Sequence, residues 1–97
     1  MLNSKQRATL RGIASGIEPV TQVGKAGVTD IFIQELDKAI EKRELIKITV
    51  LENSGEDVQT VGEEIAKRLN AEFVCAIGKR LVFYRFSKSD KVKHIEF

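Results

Sequence analysis

One cysteine and one histidine in 97 residues remove several classes of chemistry at the outset. Cys75 has no second cysteine to pair with, so no internal disulfide is available. The Phe73-Val74-Cys75-Ala76-Ile77 run around it predicts a buried, inert thiol. No Cys/His cluster has metal-ligand spacing, and His94 alone cannot complete a Ser-His-Asp or Cys-His set. Glu63 and Glu64 do not form a carboxylate dyad, because adjacent helical residues point about 100° apart. The chain is therefore expected not to be an enzyme and to carry no metal or cofactor. Long apolar runs are missing too, none approaching the roughly 20 residues of a membrane span. The first residues, Met1 to Gln6, lack the apolar core of a secretory signal. A cytoplasmic protein without a membrane partner is expected. Repeats, linkers and low-complexity segments are also absent.

What is present is a balanced chain, 42% hydrophobic and 31% charged, which suits one soluble domain with a single core. The net charge of +2 hides a segregation along the chain. Residues 1–29 balance to +3, residues 30–72 to −5 and residues 73–97 to +4. A fold that brings the two basic ends together creates one positive face suited to a polyanion.

The spacing of apolar residues predicts seven elements. Asn3 or Ser4 caps a first helix that runs to about Ser15 and stops at Gly16, with Leu10, Ile13, Ala14 and Ile17 along one face. Arg7 and Arg11 lie one turn apart with no acid three or four positions from either, an arrangement an external anion would relieve. Pro19 opens a short strand, Val20 to Val23. A second helix runs to about Arg43 and buries Phe32, Ile33, Leu36, Ala39 and Ile40. Leu45 to Leu51 is a β-branched, nearly continuous apolar strand of central type. A turn at Asn53-Ser54-Gly55 leads to a third helix from about Asp57 to Asn70, with Val58, Val61, Ile65 and Leu69 inward. Gly62 lies inside that helix, where it costs roughly 1 kcal/mol relative to alanine, and close packing is the expected reason.

Glu72 to Ile77 and Arg80 to Phe86 form a hairpin about Gly78-Lys79. Leu81 and Phe83 face one side of the last strand, and Val82, Tyr84 and Phe86 the other. Arg80 and Arg85 sit near its opposite ends. Residues 87–97 read as a loosely ordered tail. The fold class is α/β, a compact α-β-α-β-α-β-β domain with a mixed four-stranded sheet and three helices. The two strand–helix–strand crossovers set their strands parallel, and the hairpin is antiparallel.

The stretch Val23-Gly24-Lys25-Ala26-Gly27-Val28-Thr29-Asp30 carries the functional signal. Glycines allow a sharp turn and close backbone approach, Lys25 adds a positive charge at the tip, and Thr29 or Asp30 starts a helix. These parts suit a loop that grips phosphate, although Gly-x-x-Gly also occurs in ordinary strand-to-helix turns. It is neither a triphosphate P-loop nor a three-glycine dinucleotide fingerprint.

The basic first helix, the Gly24-Lys25-Ala26-Gly27 loop and the run Ile77-Gly78-Lys79-Arg80-Leu81-Val82-Phe83-Tyr84-Arg85 together resemble the CRM domain. This is the chloroplast RNA splicing and ribosome maturation module, and the likeness is to its free-standing bacterial YhbY-like members. It covers residues 1 to about 88. A KH domain is set aside, since that fold places its Gly-x-x-Gly between two helices. The resemblance implies a fold akin to the C-terminal domain of translation initiation factor three. It implies RNA binding in precursors of the large ribosomal subunit, with Gly24, Lys25, Ala26 and Gly27 as the grip. Lys5, Arg7 and Arg11 of the first helix and Lys79, Arg80 and Arg85 of the hairpin would extend the surface. Plant members usually follow Leu-Tyr-Arg with glycine, whereas this chain has Phe86. The alternative is an adaptor docking on a ribosomal protein or assembly factor through its acidic helices. No small-molecule substrate and no obligate oligomer are expected; the chain reads as a monomer.

Overall fold

The computed structural model describes residues 2–51 and 57–97, so the Asn53-Ser54-Gly55 turn lies outside the described residues. The elements are α1 (Ser4–Ala14), β1 (Thr21–Val23), α2 (Asp30–Arg43), β2 (Leu45–Val50), α3 (Val58–Leu69), β3 (Glu72–Ile77) and β4 (Arg80–Tyr84). The seven expected elements are all present in the expected order. The sheet order is β1-β2-β4-β3. β1 and β2 pair in parallel across α2, while β4 pairs antiparallel with both β2 and β3. β3 therefore points the same way as β2 without touching it, because the hairpin folds β4 in between.

Helices cover both faces of this sheet, and the strand alternation decides which residues meet which helix. Ile46, Ile48, Leu81 and Phe83 face α2 and α3, which contribute Leu36, Ile40, Val61, Ile65 and Leu69 to the larger core. On the other face Leu45, Val74, Val82 and Tyr84 pack under Leu10 and Ala14 of α1. Ile13 lies largely outside this second core, at 40% exposure. Gly62 has the predicted reason to be small: a Cβ there would come within 2.4 Å of the Phe73 ring.

Local chemistry sets the helix ends. Asn3 and Gln6 form a reciprocal capping box on α1, Thr29 caps α2 and Asp57 caps α3. α1 stops at Ala14, whose carbonyl accepts a 2.8 Å bond from Lys47 Nζ reaching up from β2.

The segment after β4 has no helix or strand and is bonded to the end of α2. The strand itself ends at Tyr84 rather than Phe86 because the chain turns inward to Glu44. The fully buried Glu44 carboxylate accepts from the backbone N–H groups of Ser87 (2.7 Å) and Ile95 (2.8 Å) and lies 2.6 Å from His94 Nδ1. Glu41 accepts from the Lys88 N–H, and Phe97 meets Tyr84 edge to face. Two carboxylates at the end of α2 thus tie down the segment 87–97, which the sequence reads as loosely ordered.

Candidate nucleic-acid interface

The Gly-x-x-Gly segment leaves the C-terminal end of β1 as a tight turn. Gly24 O accepts from Gly27 N at 3.0 Å, and Gly27 has φ +74°, the left-handed region that an L side chain resists. Gly24 is under no such demand. A Cβ there would sit 3.7 Å from Leu51 Cδ1, an ordinary contact. Lys25 and Ala26 form the exposed tip.

The helix start behind the turn is less open to an anion than its sequence implies. Thr29 Oγ1 already accepts the Phe32 N–H, and Asp30 places a carboxylate at the positive end of α2. Arg68 from α3 pairs with Asp30 and donates to Val28 O at 3.1 Å, bracing the segment. The positive charge at the tip is therefore that of Lys25, with the helix dipole largely answered by the protein itself.

Sheet register brings the hairpin to the same end. Val23 aligns with Val50, Val50 N donates to Lys79 O at 2.7 Å, and Gly78 turns the chain at φ +60°. Gln22, Thr49, Arg80 and Ile77 then form one row across all four strands, since each aligns with the next. By alternation this row lies on the face that carries α1, and α1 leaves it uncovered: Gln22, Arg80 and Ile77 are exposed. Sequence reading missed Gln22 and Thr49, which only cross-strand register could have indicated.

The remaining cations divide in two. Arg11 and Lys5 are exposed on α1, and their side chains, like those of Lys25 and Arg80, form no hydrogen bond or ion pair with another described residue. Arg7, one turn from Arg11 along the same side of α1, is spent within the fold. Its guanidinium donates to Phe73 O (2.5 Å) and Val74 O (3.1 Å), where a bulge in β3 turns two carbonyls outward. Arg85 is taken up entirely at the far end of β4, bonding Asp37 Oδ1 (2.7 Å), Leu69 O (2.8 Å) and Glu41 Oε1 (3.3 Å). Four residues separate Arg80 from Arg85, so Arg85 stands roughly 16 Å from the hairpin end.

Cys75 was expected in the core but is half-buried, lining a groove between α1 and β3. Burial pushes its thiol up, against the opposing pull of Arg11 and Arg7. Among the described residues no group of His, Cys, Asp and Glu could hold a metal ion, and no helix is long and apolar enough to cross a membrane.

Residues 2–85 match the CRS1/YhbY (CRM) domain, which spans all seven elements. This chain belongs to that family. A Bacillus subtilis relative named "Probable RNA-binding protein YqeI" is 43% identical over 94% of this chain and 95% of its own length. A Haemophilus influenzae "RNA-binding protein" is 34% identical, with 95% and 93% covered. The solution structure of the hypothetical protein SAV1595 from Staphylococcus aureus superposes with a TM-score of 0.79 at 40% identity, covering 94% of this chain and 95% of that one. The CRM architecture expected from the hairpin and loop is thus the architecture present.

Proposed function

We propose that this CRM chain is a monomeric cytoplasmic protein that binds ribosomal RNA in precursors of the large subunit and assists their assembly. The observation that carries the reading is the shared sheet end, where the Gly24–Gly27 turn, Lys79 and Arg80 meet beside the uncovered row. The names of the relatives support RNA as the partner. Gly24, Lys25, Ala26 and Gly27 would admit the backbone closely, Lys25, Lys79 and Arg80 would meet phosphates, and Arg11 and Lys5 would widen the footprint. Arg7 and Arg85 contribute by holding β3 and the α2–α3 junction in place. The test is fluorescence anisotropy of a labelled large-subunit rRNA fragment against wild type and Gly24→Glu at two salt concentrations. Salt-sensitive binding lost in a folded mutant supports the loop as the grip. Equal binding by both proteins refutes it, and salt-insensitive association with an assembly protein in place of RNA favours the adaptor.

A further inference from the structure

The groove between α1 and β3 is about 570 Å³, within the range of small-ligand sites. Its floor is apolar, made by Val74, Cys75 and Ile77, and Arg7 and Arg11 stand along its wall. Among the described residues no carboxylate lines it. Gly12 opens it further, since a Cβ built there would meet nothing within 4 Å. Ile77 aligns with Arg80, so the groove runs out onto the hairpin end of the sheet.

β3 is the edge of the sheet, which would ordinarily invite an added peptide strand. Arg7 argues against that occupant, because its guanidinium already fills two carbonyls of the edge at Phe73 and Val74. What the lining favours is a flat, partly apolar group joined to an anion. An unstacked nucleotide has both parts, and guanidinium planes stack on bases as well as meeting phosphates.

We propose that the α1–β3 groove is a nucleobase subsite, taking a splayed base of single-stranded RNA against Val74, Cys75 and Ile77 while Arg11 meets its phosphate. This rests on RNA being the partner, and adds that a single-stranded segment is what the groove selects.

Gly12→Leu fills the groove without touching a charge or the core, and leucine suits a helix better than glycine, so the variant should fold. Anisotropy compares wild type and Gly12→Leu on a short mixed-sequence single-stranded RNA and on an RNA duplex. Gly12→Leu should weaken single-strand binding about tenfold, the effect of one stacked base, and change duplex binding less than about twofold. In wild type, the single strand should also slow iodoacetamide alkylation of Cys75, the chain's one thiol, by about fivefold or more. Unchanged single-strand binding by Gly12→Leu, or an alkylation rate unaffected by saturating RNA, overturns the subsite while leaving RNA recognition at the loop intact. Failure of wild type to bind either RNA removes the wider reading and the subsite with it.

Discussion

Replacing Gly62 by alanine offers a test of the packing logic, because two effects of known size oppose each other there. Mid-helix glycine costs about 1 kcal/mol relative to alanine, so propensity alone predicts that Gly62→Ala stabilises. The structure predicts the reverse. The new methyl would lie 2.4 Å from Phe73 Cζ and 2.6 Å from Cε2, well inside van der Waals contact. The ring cannot simply swing away, because Phe83 stacks against it with centroids 5.5 Å apart. Overpacking of this kind costs about 1–3 kcal/mol, and disturbing the ring pair adds about 0.5–1.5 kcal/mol. The balance is a loss of about 0.5–3.5 kcal/mol, and its middle value near 2 kcal/mol lowers the Tm of a domain this size by roughly 8–16 °C. Gly12→Ala in α1 is the control, since open space surrounds that position and propensity should win. Thermal melts of both variants are the assay, with Phe73→Leu as the background in which the Gly62→Ala penalty should largely disappear. A Gly62→Ala protein that melts at or above wild type would refute the reasoning.

Gly27→Ala should cost about 1–2 kcal/mol through its positive φ, whereas Gly24→Ala should stay within about 0.5 kcal/mol; urea titrations distinguish them, and equal losses would contradict the turn geometry. Glu44→Ala leaves the Ser87 and Ile95 N–H groups without their acceptor and should cost about 2–4 kcal/mol, with hydrogen exchange at both amides rising to the rate of an open segment. Burial pushes the Glu44 carboxyl up, but bonds from Ser87, His94 and Ile95 outweigh it and hold the group below the usual range. Its folded value is depressed, so its contribution is present above about pH 4.5 and lost as pH falls through the lower folded value; melts from pH 7 to 3 should show a steeper acid loss for wild type than for Glu44→Gln. If Lys25, Lys79, Arg80 and Arg11 each neutralise one phosphate, single-strand affinity should fall about 50-fold between 50 and 200 mM salt, and a slope near zero would exclude this surface.

The elements were legible because each carries its own period and stop: the capping box at Asn3, the β-branched run of β2, and the alternation of Leu81 to Tyr84. Strand directions followed from connection lengths, α-helical crossovers on one side and a two-residue turn on the other. What no local pattern contains is which long-range partner a polar side chain takes. Glu44 reads as one more acid in a charged helix end, and its burial depends on a tail 43 to 51 residues away. The thiol of Cys75 reads as core, and a bulge after Phe73 shifts that stretch of β3 against its partner.

The same limit explains why cations are a poor measure of an RNA footprint. Arg7, Arg68 and Arg85 each bond backbone carbonyls that lack a partner within their own element: the β3 bulge, the approach to α2 and the end of α3. A guanidinium suits such places because its rigid fork reaches two acceptors at once and remains charged under all conditions, whereas an ammonium is a point charge that keeps its water. Counting charges along the chain therefore assigns to RNA two arginines, Arg7 and Arg85, that the fold has already used. The candidate cations that remain, Lys25, Arg80, Arg11 and Lys5, stand on the turn at the end of β1, the start of β4 and the exposed side of α1, with no side-chain bond to another described residue to hold them back from a phosphate. A charge reversal at Arg80 should accordingly weaken RNA binding with little loss of stability, and one at Arg85 should unfold the α2–α3 junction first. Paired melts and anisotropy on Arg80→Glu and Arg85→Glu separate the two roles, and a stable Arg85→Glu protein with selectively lost RNA affinity would reverse the assignment.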